Sequence, residues 1–89
     1  MSDKNIKQLF GGVLRTWRTR RGFTQHELAQ RADMQRSYIS EVERGERNTS
    51  LQSIKKLADA LNISPQRLFK FETVFAAGKM KKTSNLSSP

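Results

Sequence analysis

Arg36, Ser37, Tyr38, Ser40 and Glu41 crowd into the stretch "ADMQRSYISEVERG", Ala32 to Gly45. If that stretch is helical, Ile39 and Val42 share its apolar side, and the polar residues, with Gln35, occupy the side that cannot face the same core. A merely solvated face is usually Lys, Glu and Gln. This one offers a guanidinium fork, hydroxyls, an amide and a carboxylate, a set able to pair with donors and acceptors held in fixed positions. It is a surface built to be read against something.

The elements that must hold this face are readable around it. Before it lies "TQHELAQRAD", in which Thr24 and Glu27 form a capping box: the Thr hydroxyl accepts from the Glu27 amide and the Glu carboxylate accepts from the Thr24 amide. A helix starts there, with Leu28 and Ala32 on its apolar side and Ala29 small enough for another helix to cross. Asp33 falls where the chain must turn, and Asp tolerates a left-handed backbone better than most residues. The helix of the opening stretch runs from about Gln35 to Arg44 and ends at Gly45, a natural C-cap.

Two short helices joined by so tight a turn, the second with a polar outward face, make a helix-turn-helix, whose second helix can enter the DNA major groove. At this point the segment Thr24 to Phe69 resembles the Cro and phage-repressor type of helix-turn-helix, the Xre family of bacterial and phage regulators. The markers are TQxxLA, YIS, ERG and "LADALNIS", and with "LRTWRTRRGF" in front the resemblance covers Leu14 to Phe69. The run "RSYISEVERGERN" is similar to restriction-modification controller proteins and to short phage repressors; an antitoxin subunit with the same helix-turn-helix is the alternative. The chain departs from the pattern at Asp33, where the family usually has Gly, at Gln35, where Ser or Thr often opens the helix, and at Thr49, where Pro is common.

Groove geometry sends the first residues of the second helix and those one turn on toward base edges, here Gln35, Arg36, Ser37, Ser40 and Glu41. Arg36 suits guanine O6 and N7 together and Gln35 adenine or a phosphate, while Glu41 either accepts from a cytosine amino group or is a solvated acid or an orienting partner for Arg36. Gln25, beside a helix N-terminus, suits a phosphate oxygen, and the matching Gln of the family clamps the backbone. Tyr38 sits at the edge of the face, where it either packs its ring on the preceding helix and offers its hydroxyl to a phosphate or serves only to fill the core. Arg47, Asn48, Thr49 and Ser50 form the following loop next to a helix N-terminus, a loop the family uses for backbone contacts. The resemblance also implies that Arg18 in the first helix pairs with Glu43 of ERG, as structure and not as a DNA contact.

The remaining elements are helical. The first helix carries Ile6, Phe10, Val13, Leu14 and Trp17 at helical spacing and stops at Gly22; Gly11 and Gly12 within it mark a bend or a close helix contact. A fourth runs from Ser50, a good N-cap, through the stripe Ile54, Leu57, Ala58 and Leu61. A fifth starts at Ser64 and Pro65, carries Leu68, Phe69, Phe71, Val74 and Phe75, and ends near Gly78. The expected architecture is all-α, a compact five-helix domain over residues 1–78 followed by a basic polar tail, residues 79–89, too polar to fold alone. Leu14, Leu28, Ala32, Ile39, Val42, Ile54, Leu57, Leu61 and Leu68 are the expected core. Phe71, Val74 and Phe75 are then surplus apolar surface, which either a two-fold homodimer through the fifth helix covers or the side chains themselves cover by folding back onto their own domain, the dimer being the more economical.

Composition agrees with this reading. In 89 residues there are 17 Lys and Arg against 8 Asp and Glu, a net charge of +9, which directs the chain toward a polyanion or an acidic membrane surface without choosing between them. The apolar faces are used up in a globular core, which argues against the membrane. The expected partner is double-stranded DNA. One His, no Cys, no placed carboxylate pair and no phosphate-binding Gly loop supply neither a metal site nor a catalytic triad, so no enzyme, cofactor or small-molecule ligand is expected. No apolar run approaches a spanning helix, the first ten residues lack a signal-peptide core, and the absence of cysteine fits a reducing cytoplasm.

Overall fold

The computed structural model describes residues 5–71. It contains four α-helices, α1 (Ile6–Arg20), α2 (Gln25–Ala32), α3 (Arg36–Glu43) and α4 (Leu51–Leu61), followed by a 3-10 helix, Pro65–Phe69. No strand occurs among the described residues.

Local chemistry starts and stops these helices. Asn5 opens α1 by accepting from the Gln8 amide, and the Gln8 side chain accepts from the Asn5 amide in return. Thr24 and Glu27 close the same reciprocal pair at α2, with distances of 3.0 and 2.8 Å. Asp33 ends α2 in the left-handed region at φ 58°, ψ 52°, and the Met34 amide reaches back 2.8 Å to the Ala29 carbonyl. Ser50 caps α4 by accepting from the Ser53 amide.

The helices meet over one apolar centre. Val13, Leu14, Leu28, Ile39, Leu57, Ala58, Leu61 and Leu68 are wholly buried, joined by Phe10, Ala29, Ala32, Val42 and Ile54. Every residue expected in the core lies in it. α1 packs on α3, α2 on both α3 and α4, and the 3-10 helix closes against α1 and α4.

Gly11 explains how α1 and α3 approach so closely. A β-carbon there would fall 2.8 Å from the Glu43 carbonyl oxygen and closer still to that of Val42. Gly45, at φ +77°, sits against Gln8 on the same helix, where a β-carbon would lie 3.0 Å from the Gln8 Cα. The close contact is therefore the use of Gly11, and α1 continues as helix across it.

The expected fifth α-helix is a correction. Among the described residues Ser64 and Pro65 open a 3-10 helix of five residues, and Lys70, at φ −87° and ψ 87°, leaves helical geometry. Pro65 suits any first helical turn and does not specify which kind of helix follows. Leu68 is fully buried, whereas Phe69 is 44% exposed, with its ring centroid 5.4 Å from that of Phe10 and 6.2 Å from that of Phe71. Val74, Phe75, the expected end near Gly78 and the tail lie outside the described residues.

At the far end of α1, Arg21 donates from Nε to the Leu61 carbonyl at 2.8 Å, placing a cation on the C-terminus of α4 where the helix dipole favours one. Trp17 packs at the rim of the core with the guanidinium groups of Arg20, Arg21 and Arg67 between 5.4 and 5.8 Å from its ring centroid. Its indole N–H is buried without a hydrogen-bond acceptor among the described residues.

Candidate nucleic-acid interface

Asp33, Met34 and Gln35 are all that separate α2 from α3. The left-handed turn at Asp33 sets the two helices at an angle, and Gln35 occupies the N-cap of α3 with an extended backbone and no capping bond from its side chain. Its amide is therefore left exposed beside Arg36 and Ser37, which are exposed as well. Ile39 and Val42, 0% and 1% exposed, anchor the opposite side of α3. Ser40 and Glu41, one turn on, are half-buried.

A continuous chain of hydrogen bonds runs from this face into the fold. Arg36 Nη1 donates to Gln25 Oε1 at 3.3 Å, and Gln25 Nε2 donates to Glu43 Oε1 at 3.0 Å. Glu43 in turn receives Arg18 through both carboxylate oxygens, Nε to Oε2 at 2.7 Å and Nη2 to Oε1 at 3.1 Å. Arg18 Nη1 also donates to the Phe23 carbonyl at 2.8 Å, tying down the link between α1 and α2. With side-chain exposures of 12% and 4%, Arg18 and Glu43 form a largely buried bidentate pair. Gln25 thus faces both ways: it sits at the first turn of α2, and its side chain joins the buried pair to Arg36.

Glu41 is engaged from the other side. Arg47 Nε and Nη2 each lie 2.9 Å from Glu41 Oε1, and the Arg47 guanidinium stands 5.0 Å from the centroid of the Tyr38 ring. Tyr38 is half-buried at the core edge, so its ring is a shelf for the arginine. In the same loop Asn48 and Ser50 are exposed and Thr49 is half-buried. The Ser50 hydroxyl is occupied by the α4 cap and by Ser53 Oγ at 3.1 Å.

Three neighbours of this surface escaped the sequence reading. Arg44 donates from Nη1 to Ser40 Oγ and from Nη2 to Glu46 at 3.0 Å, so a cation covers one of the expected base-reading hydroxyls. The hydrogen bond from Arg44, foremost, holds the Glu46 carboxyl below its usual range and raises the guanidinium in turn. Lys56 and Ser53, on the first turns of α4, line a shallow cleft with Gln35, Ser37, Tyr38 and Arg47. The i, i+4 spacing of Ser40 and Arg44 and the closeness of Lys56 to the Ser50 cap were the available signals.

Among the described residues no group of His, Cys, Asp or Glu is placed to hold a metal ion, and no helix is long and apolar enough to cross a membrane. What the surface offers is an exposed helix start with Gln, Arg and Ser, flanked by a second helix N-terminus and a polar, basic loop.

Residues 14–68 match the helix-turn-helix family, which is more than half of the chain. The chain belongs to the Xre-type helix-turn-helix family. It is similar to the control protein C.BamHI of Bacillus amyloliquefaciens, 42% identical over 71 residues that span 79% of this chain and 88% of that protein. The crystal structure of the restriction-modification controller protein C.AhdI from Aeromonas hydrophila is 49% identical with a TM-score of 0.70, covering 71% of this chain and 96% of that one. A further controller protein, C.Esp1396I, solved as a tetramer in complex with its natural 35 base-pair operator, is 27% identical with a TM-score of 0.69, covering 82% of this chain and 93% of that one.

Proposed function

We propose that this chain is a sequence-specific DNA-binding transcription regulator of the restriction-modification controller kind, acting in the cytoplasm and binding a pseudo-palindromic operator as a homodimer. The observation that carries the reading is the two-sided character of α3: Ile39 and Val42 are sealed in the core while Gln35, Arg36 and Ser37 stand exposed beside Gln25 and the Arg47–Asn48 loop. In this reading α3 enters the major groove, Arg36 takes a guanine edge, and Gln35, Ser37 and Ser40 meet neighbouring bases. Gln25, Tyr38 and the loop Arg47, Asn48, Thr49 and Ser50 follow the phosphates.

One such helix covers only a few base pairs, so a second copy about 34 Å away would complete the site. The exposed Phe69 and half-buried Phe71 supply described apolar surface for that pairing, and Val74 and Phe75 would extend it. The tetrameric operator complex of C.Esp1396I supports binding by more than one copy. Selection of bound sites from random DNA tests the proposal: two inverted half-sites about one helical turn apart are expected, and a pool with no enriched sequence would overturn it.

A further inference from the structure

We infer that Glu41 and Arg47 form a partner-exchange latch, in which Arg47 is released to a phosphate only when Glu41 finds an amino group on a base edge. The inference rests on the DNA-reading role proposed for α3.

In the free protein, both Arg47 contacts converge on one carboxylate oxygen, Glu41 Oε1, each at 2.9 Å. The carboxylate is in the helix proposed to enter the groove, and the guanidinium is in the loop proposed to follow the backbone. While the pair is closed, its net charge is zero, and Arg47 adds nothing to the phosphate attraction that drives non-specific binding. The pair is also easily opened: side-chain exposures of 48% for Arg47 and 35% for Glu41 leave it accessible to water, a setting in which ion pairs hold weakly.

The base edge decides which way it goes. Cytosine N4 or adenine N6 presents hydrogens that a carboxylate accepts, so Glu41 can exchange Arg47 for the base. Guanine O6 and N7 or thymine O4 presents only acceptors, which repel a carboxylate and leave it with Arg47. Tyr38 keeps the exchange local, because its ring, 5.0 Å below the guanidinium, supports Arg47 after Glu41 has let go. A phosphate contact in the loop thereby becomes conditional on the base read in the helix.

The test measures affinity against salt concentration for the selected operator and for a random duplex, using the wild-type protein, Glu41→Gln and Arg47→Ala, with circular dichroism as the check on folding. Glu41→Gln frees Arg47 everywhere: for each recognition helix, random-duplex affinity should rise roughly threefold and the slope of log K against log salt should steepen by about 0.9. Operator affinity should not rise, so discrimination falls. Arg47→Ala should flatten the operator slope by about the same amount and leave the random-duplex slope unchanged. An unchanged random-duplex affinity in Glu41→Gln, or an equal flattening on both duplexes in Arg47→Ala, overturns the latch. A wild-type protein that fails to discriminate at all overturns instead the DNA-reading role on which the latch rests.

Discussion

The side-chain amide of Gln25 donates to Glu43 Oε1 at 3.0 Å, so a residue on the outer surface of α2 is bound to the buried pair that joins α1 to α3. Its oxygen accepts from Arg36. Removing this amide takes away the proposed phosphate contact and the brace of Arg36 together. Gln25→Ala is therefore expected to weaken binding to all DNA and to weaken the operator more than a random duplex. Titration of both duplexes by fluorescence anisotropy checks it; equal losses on the two would mean that Gln25 does not brace Arg36 in the complex.

Arg36→Ala should lose discrimination at a single base pair of each half-site, by about 1–3 kcal/mol, because a guanidinium that spans guanine O6 and N7 has no substitute there. Binding to an operator series with each position changed in turn reads this out. An unaltered ratio of operator to random affinity would remove Arg36 from base reading.

Breaking the Arg18–Glu43 pair from one side strands a buried charge, a loss of about 3–5 kcal/mol. Such a loss is a large fraction of the stability of a small domain. Arg18→Ala also abandons the Phe23 carbonyl. Urea unfolding of Arg18→Ala and Glu43→Ala should show strongly lowered midpoints, and a change within experimental scatter would contradict the burial of the pair.

Gly11→Ala pits two effects against each other. Alanine favours a helix interior by about 1 kcal/mol over glycine, but its β-carbon would press on the Val42 and Glu43 carbonyl oxygens, an overpacking that costs about 1–3 kcal/mol. Both atoms are backbone, so neither can swing aside. Net destabilisation is expected in thermal melts, and stabilisation would show that α1 and α3 stand further apart.

Arg44 holds the Glu46 carboxyl below its ordinary range. A depressed carboxylate adds stability that is present above its unfolded pKa and lost as pH falls through the folded value. Both side chains are more than half exposed, so the contribution is small and screened by salt. Carbon-detected NMR titration should find Glu46 deprotonating early, and Arg44→Ala should return it to the range of a free glutamate.

Much of the scaffold was readable because its signals are local. Thr24 with Glu27, Asp33, Gly45 and Ser50 each specify a helix end through their own backbone neighbours, and the spacing of Leu28, Ile39, Val42 and Leu57 identifies the buried sides. The stretch after Ser64 misled because a cap followed by proline marks a first turn without saying how far the helix continues; the described 3-10 helix stops at Phe69. The partners of the polar residues were harder still. That Arg47 returns to Glu41 and that Gln25 turns toward Glu43 depend on loop path and on the crossing of α2 and α3, which no residue pattern along the chain encodes, whereas the Arg44–Ser40 contact follows from their i, i+4 spacing.

Gly11 leaves no side-chain cushion between α1 and the end of α3. Main chain rests on main chain there, and no rotamer change can ease the joint. In such a scaffold the pitch of the reading rod is invariant, and a new target sequence has to be acquired by exchanging the teeth of the key instead of tilting its shaft.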